Sequence, residues 1–261
     1  MPDGKALQMG TSHFLGQNFS KPFEVKFTDK DNVEHFAWQT SWGVSWRLIG
    51  AMIMVHGDDK GLVLPPKVAP IQVVIIPIYY SKKDEDDVQQ KADEIKEKFE
   101  SHNIRVHVDA RSELTPGFKF HDWELKGVPV RIEIGPKDIQ NQKVVLATRF
   151  NSKKTDQPFE NLETQVISLL ENIQNDMLNA AKKILNENIK DVASYSDFKS
   201  IIDGGGFVKG YWCGNQECEE KIKEETGADI RVIPFDTEDD TGKCIICQNQ
   251  SKSVPFFAKG Y

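Results

Sequence analysis

The sequence predicts an α/β protein built in three successive parts, and three patterns indicate it. Residues 20–62 alternate apolar and polar residues between turn signals, which is typical of antiparallel strands. From residue 71 the chain alternates apolar strand patterns with amphipathic helix patterns, which indicates a mixed sheet covered by helices. Residues 190–261 contain all four cysteines and predict a short third unit.

The first part is predicted to end at a Pro-Pro step. The stretches "KPFEVKF" and "HFAWQTS" alternate on either side of the turn signal "DKDN". The stretch "WRLIGAMIMVHGDDKGLVLPP" then places two apolar runs around a second turn and stops at the two prolines. We therefore expect the first domain to cover residues 1–66.

The second part has the element order of a sheet covered by helices. Strands are predicted in "IQVVIIPI", "IRVHVDA", "VPVRIEIG" and "KVVLATR", and a helix in "TPGFKFHDWELKG". A longer helix carries Val88, Ala92, Ile95 and Phe99 on one face. We assign this domain to residues 67–165, and in such sheets binding groups gather on the loops at strand ends.

A long amphipathic helix is predicted next. Its apolar residues recur at one-face spacing and are Leu162, Val166, Leu169, Ile173, Met177, Ala180 and Ile184. A connector buried against both neighbours explains this helix better than a cofactor site does. Together with the cysteine unit it forms the third predicted domain, residues 166–261.

Composition and charge narrow the class of protein. The 261 residues are 39% hydrophobic, which is typical of a globular protein. The net charge of −7 argues against non-specific binding to nucleic-acid phosphate backbones. The longest nearly apolar run, residues 71–80, is too short to span a bilayer, and the N-terminus has no apolar leader segment. We expect a cytoplasmic protein with no membrane partner.

The four cysteines predict a metal centre. Cys213 and Cys218 are separated by four residues, and after 25 further residues Cys244 and Cys247 are separated by two. Four thiolates on two knuckles satisfy tetrahedral zinc and leave no open position, so the zinc would be structural rather than catalytic. The alternatives are four unrelated buried cysteines and an iron–sulfur cluster.

Other polar features have simple explanations. The glycines at 204–206 lack the ending of a phosphate loop and predict a turn. The acidic runs at 82–87 and 236–242 predict a helix start and a loop. Arg47 opens an apolar element and needs an anionic or aromatic partner, which is either a nucleotide or a structural ion pair. His13 is either a pocket residue or a hydrogen-bonded core histidine.

Four stretches, taken in order, resemble one known family. They are "QMGTSHFLGQNFSKPFEVKF", "TSWGVSWRLIGAMIMVHGDDKGLVLPPKVAPIQVVIIPI", "LTPGFKFHDWELKGVPVRIEIGPKD" and the terminal cysteine unit. Together they are similar to the C-terminal half of prolyl-tRNA synthetase of the archaeal and eukaryotic type, over essentially the whole chain. The resemblance implies a partial antiparallel class II synthetase catalytic sheet, a mixed-sheet α/β anticodon-binding domain and a small α+β zinc-binding domain.

The resemblance implies a reaction and a set of contacts. The family activates proline with ATP and magnesium and then transfers the prolyl group to the tRNA for proline. By matching position, the residues facing ATP and magnesium would be Gln8, Thr11, Ser45 and Arg47, the last two in motif 3. His13 would line the proline pocket. These roles are positioning and electrostatic, and no side chain is implied as a nucleophile or base.

The second domain would read the anticodon, which for proline ends in two guanines. Guanine offers O6 and N7 as acceptors and N1 and N2 as donors, so an Arg suits one edge and a Glu the other. The resemblance implies Glu124 and Arg131 in these roles, with Lys153 as a third contact. Taken singly, Glu124 and Arg131 are as readily explained by a surface ion pair.

Family members also carry motif 1, which forms the homodimer interface, and motif 2, which binds ATP, ahead of the matching part. We therefore expect these residues alone to be inactive in proline activation, and residues 1–66 to be poorly stable because strand edges lack partners. One alternative is a stand-alone tRNA-binding, RNA-binding or regulatory module with structural zinc. Another is an unrelated zinc-bearing protein that binds protein partners. Tyr261 is expected to be a buried terminus.

Overall fold

The computed structural model describes residues 1–235 and 241–261, apart from the side chain of Lys83. The chain forms two compact units, one from Met1–Ala51 with Asn188–Tyr261 and the other from Met52–Glu187. The three-domain division of the sequence stays a prediction. Most of the predicted acidic loop at 236–242 lies outside the described residues.

The first unit begins with two antiparallel strand pairs. Strand β1 (Gly10–Gly16) pairs with β4 (Gln39–Val44), and β2 (Lys26–Thr28) pairs with β3 (Glu34–Phe36). This confirms the antiparallel prediction for the strands before residue 45. That these strands belong to a class II catalytic sheet remains a prediction.

The apolar run after these strands is a helix, so the prediction of antiparallel strands throughout 20–62 is wrong there. Helix α1 covers Arg47–His56. A continuous apolar run does not separate a buried strand from a buried helix by periodicity. The local signals favour the helix, because Leu, Met and Ala are good helix formers and the Ser45 hydroxyl accepts a hydrogen bond from the Arg47 amide at 3.3 Å.

Large aromatic side chains on the β1/β4 pair and just after it are solvent-exposed. Phe14, Trp42 and Trp46 are 75%, 76% and 85% exposed. An isolated pair of strands buries little of its apolar surface and is marginally stable in water. This observation agrees with the expected weak stability of the first residues, which stays a prediction.

The second unit contains a five-stranded mixed sheet with the order β6-β5-β7-β8-β9. Its strands are β5 (Val73–Pro77), β6 (Val106–Val108), β7 (Val130–Ile134), β8 (Lys143–Thr148) and β9 (Lys154–Pro158). Strand β5 runs parallel to β6 and β7, whereas β8 and β9 add antiparallel at the other side. The mixed sheet predicted from the alternating elements is confirmed, and β9 is an additional strand that the sequence did not indicate.

Helices complete the second unit. They are α2 (Lys82–Ser101), α3 (Pro116–Leu125), α4 (Pro136–Gln140) and α5 (Leu162–Glu187). The predicted helix face of Val88, Ala92, Ile95 and Phe99 is buried in the core. Helix α5 is confirmed, although Ile184 near its end is 51% exposed. The predicted boundary at 165 falls inside α5.

The rest of the first unit is the predicted α+β arrangement. A four-stranded sheet has the order β10 (Ile189–Asp191), β11 (Phe207–Lys209), β15 (Phe256–Lys259) and β12 (Ala228–Val232). Helices α6 (Tyr195–Gly204) and α7 (Gln216–Thr226) accompany it, and β13 (Gly242–Lys243) pairs with β14 (Gln250–Ser251). Phe198, Ile202 and Phe257 form the centre of its core.

The glycines at 204–206 form the predicted turn, and it packs on the N-terminal residues. A Cβ on Gly4 would lie 2.6 Å from the Gly205 carbonyl carbon, and Gly205 has φ +80°. Two backbones approach closely here, which only glycine permits.

The chain end is paired, but its side chain is not buried. The Tyr261 amide donates to the Ala6 carbonyl at 2.9 Å, whereas the Tyr261 side chain is 66% exposed. The predicted buried terminus is therefore wrong, because backbone pairing fixes the end and leaves the ring outside the core.

Candidate functional site

A pocket of about 160 Å³ lies in the second unit, between helix α3 and strands β7 to β9. Its polar lining consists chiefly of Lys60, Glu124, Arg131, Thr148, Arg149 and Lys154. The apolar lining includes Trp123 and Ala147. Two of the three predicted anticodon residues, Glu124 and Arg131, thus come together in one concave site.

Arg131 and Lys154 lie on one face of the sheet, on either side of Ala147. Arg131 on β7 is in register with Ala147 on β8, and Ala147 is in register with Lys154 on β9. Because residues in register share a face, the two cations point to the same side with only a methyl group between them. The Arg131 guanidinium lies 4.3 Å from the centroid of the Phe120 ring, in cation–π contact.

Glu124 supplies the acceptor side of the pocket. Its side chain is 22% exposed, with Oε1 3.4 Å from Lys60 Nζ and Oε2 3.5 Å from His121 Nδ1. Because Glu124 on α3 and Arg131 on β7 both line the pocket, the site offers acceptors from one element and donors from another. A guanine needs both types of group, because its edges carry acceptors and donors.

Arg149 fixes the end of helix α3 that carries Glu124. Its side chain is 4% exposed, and its Nε donates to the Glu124 carbonyl at 3.0 Å. Its Nη1 donates to Asp58 Oδ2 at 2.8 Å, and its Nη2 also donates to the Gly61 carbonyl at 3.3 Å. A planar guanidinium with donors on three nitrogens can hold the turn at 58–61 and the end of α3 at once, whereas the three donors of a lysine lie on a single nitrogen.

The hydrogen bond from Arg149 favours the ionised form of Asp58 and lowers the pKa of its carboxyl group from 3.8 to about 2. Since the pKa is lower in the folded protein than in the unfolded chain, the ionised carboxylate stabilises the fold at pH values above 3.8, and that contribution is lost as the pH falls toward 2.

We expect Asp58→Asn to be less stable than wild type at neutral pH and equally stable near pH 2, where the Asp58 carboxylate is protonated. Urea unfolding at several pH values measures this, and a stability gap that stays constant with pH would contradict it.

A buried charge network holds the other side of α3. The Asp109 carboxylate is fully buried and accepts from Trp123 Nε1 at 2.7 Å and from Arg111 Nε at 2.8 Å. Burial opposes its ionisation, but these hydrogen bonds outweigh burial and hold the pKa of Asp109 well below its usual range. Arg111 also donates to Asp122 at 2.7 Å. The Trp123 wall of the pocket is thereby fixed.

Lys153, the third predicted residue, does not line the pocket, whereas Lys154 does. The Lys153 amide donates to Asn151 Oδ1 at 3.1 Å in the turn before β9. Side chains alternate between the two faces along a strand, so neighbouring lysines are directed differently. Sequence reasoning missed Lys154 because β9 itself was not predicted, and it missed Arg149 because a lone buried arginine gives no sequence signal.

The four cysteine sulfurs lie within 4.8 Å of one another. Cys213 Sγ is 3.7 Å from Cys218 Sγ and 3.5 Å from Cys247 Sγ. Four thiolates around tetrahedral zinc, with Zn–S bonds of about 2.3 Å, would be about 3.8 Å apart. The four groups therefore have the right number and spacing to hold one metal ion, and none of them is in a disulfide.

The thiols differ in their surroundings. Burial raises the pKa of the Cys218 thiol. Burial would also raise that of Cys244, but hydrogen bonds from the backbone amides of Cys247 and Ile246 lower its pKa to about 7. Amides that stabilise a thiolate are what a metal ligand needs, since the metal binds the deprotonated form.

The residues predicted to contact ATP and proline lie in the first unit. Arg47 Nη1 donates to the Gln8 carbonyl at 3.2 Å, and the Arg47 amide donates to the Ser45 hydroxyl at 3.3 Å, so three of the predicted residues come together. Thr11 and His13 are two residues apart on β1, opposite Gly43 and Ser41 of β4. They share a strand face by the two-residue period of a strand.

Comparison with known proteins identifies the family. An anticodon binding domain model matches residues 72–169, and a model of the C-terminal part of prolyl-tRNA synthetase matches residues 195–261. The whole chain is 60% identical to a proline–tRNA ligase of Cenarchaeum symbiosum. The chain belongs to the prolyl-tRNA synthetase family. This confirms the family resemblance that the sequence motifs indicated.

Other proline–tRNA ligases are also similar over the whole chain. One of Natranaerobius thermophilus is 50% identical, and proline–tRNA ligase 2 of Clostridioides difficile is 47% identical. The chain spans about half the length, 54%, of each of these curated relatives. Within prolyl-tRNA synthetases it corresponds to the C-terminal part. Among its described residues, no helix is both long and apolar enough to cross a membrane.

Proposed function

We propose that the chain forms the C-terminal part of a cytoplasmic, homodimeric proline–tRNA ligase. That enzyme activates proline with ATP and magnesium and transfers the prolyl group to the tRNA for proline. The support is the identity of 60% over the entire chain to a protein named for this activity. The contribution of residues 52–187 is recognition of the anticodon.

The observation that carries this proposal is the pocket beside helix α3. Glu124 on α3 contributes acceptors, and Arg131 on β7 contributes donors, to the lining of a space of about 160 Å³. In the proposed complex one anticodon guanine enters the pocket, the Glu124 carboxylate accepts from its N1 and N2, and Arg131 donates toward O6 and N7. Lys153 contacts the RNA from the adjoining turn.

The first unit contributes to the ATP and proline sites. Arg47, held by the Gln8 carbonyl at the start of α1, places a fixed positive charge for the ATP phosphates. Gln8, Thr11 and Ser45 complete the ATP and magnesium contacts, and His13 lines the proline pocket. These groups bind and orient the reactants, because negative charge develops on the α-phosphate when the proline carboxylate attacks it.

The four cysteines hold a structural zinc ion. All four protein ligands are thiolates, so no position remains for a substrate, and the ion would act on folding rather than on the reaction. Cys213, Cys218, Cys244 and Cys247 are the ligands.

Substitution of the two guanine-reading residues tests the proposal. We expect Glu124→Ala and Arg131→Ala each to weaken discrimination at an anticodon guanine by about 1 to 3 kcal/mol, since each removes contacts to a base edge. Binding of the full chain to anticodon stem-loop RNA is measured with guanine or adenine at each of the two positions. Lys143→Ala, which removes a cation from the same sheet away from the pocket, is the matched control. Unchanged discrimination in both variants would refute the assignment.

A further inference from the structure

The carboxylate of Glu133 lies next to the pocket, and no contact proposed above uses it. Glu133 is on β7, two residues beyond Arg131, and its side chain is 11% exposed. An ionised carboxylate in such a place is unfavourable unless charged or polar partners compensate for the lost water. Its partners therefore indicate what it does.

Those partners are the two cations of the pocket. Glu133 Oε1 accepts from Arg131 Nε at 3.1 Å and from Arg131 Nη2 at 2.9 Å. Lys154 Nζ donates to the same oxygen at 2.8 Å and to Oε2 at 3.0 Å. One carboxylate thus joins residues that lie on β7 and β9, on either side of Ala147.

This arrangement fixes the direction in which Arg131 can donate. Glu133 occupies the Nε and Nη2 side of the guanidinium, and the Phe120 ring lies against it at 4.3 Å. Among the described residues, Arg131 Nη1 has no hydrogen-bond partner. Without Glu133, the two adjacent cations would repel each other, and the flexible side chains would separate.

We propose that Glu133 is a positioning residue that makes the pocket selective for guanine. It holds Arg131 and Lys154 as a pair of donors directed at the O6 and N7 edge, and does not itself touch the base. The inference rests on the proposed anticodon recognition, and it adds Lys154 as a second donor to that edge. If Glu133 were only a structural ion pair, its removal would change stability but not which base atoms the pocket reads.

Two guanine analogues separate these cases. Inosine lacks the 2-amino group that faces Glu124 in the proposed complex, and 7-deazaguanine lacks N7, which faces Arg131 and Lys154. Each analogue replaces one anticodon guanine at a time in a synthetic stem-loop RNA, and binding to the full chain is measured by fluorescence anisotropy. We expect wild type to bind each analogue about tenfold more weakly at the position that the pocket reads.

We expect substitutions at Glu133 to change the penalty for 7-deazaguanine and to leave the penalty for inosine unchanged. Glu133→Ala should bind the 7-deazaguanine and guanine RNAs equally, while its penalty for inosine remains as in wild type. Glu133→Gln keeps one oxygen that accepts from Arg131, so its penalty for 7-deazaguanine should fall between those of wild type and Glu133→Ala. Asp156→Ala is the matched control, because it removes a carboxylate from the same sheet that pairs with Lys143 instead, and both penalties should stay.

The outcomes also separate this inference from the proposed function. If Arg131→Ala loses the 7-deazaguanine penalty while Glu133→Ala keeps it, anticodon recognition stands and the positioning role is wrong. If neither variant changes either penalty, both proposals are wrong. Thermal unfolding shows whether Glu133→Ala folds. If that variant does not fold, a 7-deazaguanine penalty in Glu133→Gln equal to that of wild type overturns the inference.

Discussion

Removal of the metal ion from the four-cysteine centre is expected to unfold the segment from 211 to 251 around it. Structural zinc contributes about 10 to 16 kcal/mol of apparent binding free energy at neutral pH, whereas a whole domain is stable by only about 5 to 15 kcal/mol. The ligands come from three places, the turn before α7, the first turn of α7 and the 244–247 turn. The Ile245 amide and the Ser251 hydroxyl also join these places through hydrogen bonds to the Tyr211 and Trp212 carbonyls, but a bound metal ion would add four bonds that hold all three places at one point.

Cys244→Ser tests this expectation. The variant should contain less than one metal ion per chain and should be cleaved by protease within this segment, as should wild type after treatment with a chelator. Asn249→Ala is the control, because Asn249 contacts Cys244 through its backbone carbonyl, which the substitution leaves in place. Metal content and protease resistance equal to wild type in Cys244→Ser would contradict a structural metal.

Arg149→Ala is expected to destabilise the second unit by about 2 to 3 kcal/mol and to abolish guanine discrimination. The Asp58 carboxylate is 49% exposed, so solvent screens its attraction to Arg149 and its loss costs little. The larger cost comes from the loss of the buried guanidinium and its charge-assisted hydrogen bonds to the carbonyls of Glu124 and Gly61, which keep only backbone donors, the amides of Gly127 and Asp58. The end of α3 then moves, and the Glu124 carboxylate moves with it.

Arg105→Ala is a matched control for this prediction. Arg105 also donates to backbone carbonyls, those of Ala69 and Pro66, at 2.8 and 2.9 Å, but it does not line the pocket. Arg105→Ala should therefore lower the free energy of unfolding without changing the discrimination between guanine and adenine. Denaturant unfolding and stem-loop binding are measured for both variants. Equal discrimination in Arg149→Ala and Arg105→Ala would show that Arg149 does not position Glu124.

Much of the fold was predictable because its signals are local. The buried face of α2 follows from residues three and four apart, and strand β5 from an uninterrupted apolar run. The mixed sheet follows from the order of such elements. The four-cysteine cluster was predictable for a similar reason, since the residue type and the two short spacings nearly define it.

The errors came where a local pattern permits two structures. The run in α1 fits a strand or a helix, and its helix-forming residues together with its N-terminal hydrogen bond favour the helix. The Tyr261 ring was expected inside because the terminal "KGY" resembles the family ending, yet the backbone of this residue is paired while its ring is exposed. The pocket residues beyond Glu124 and Arg131 gave no pattern at all.

The sequence by itself determined the family, the mixed sheet of the second unit and the four-cysteine cluster, because each depends on residue types at short spacing. Tertiary structure alone decided that Lys154 rather than Lys153 lines the pocket and that Glu133 joins Arg131 to Lys154. It also decided that Arg149 anchors Glu124. The contacts of Lys154 with Glu133 and of Arg149 with Glu124 join residues 21 and 25 positions apart. The position of Lys154 depends on sheet register, because a one-residue shift would turn its side chain to the other face of the sheet.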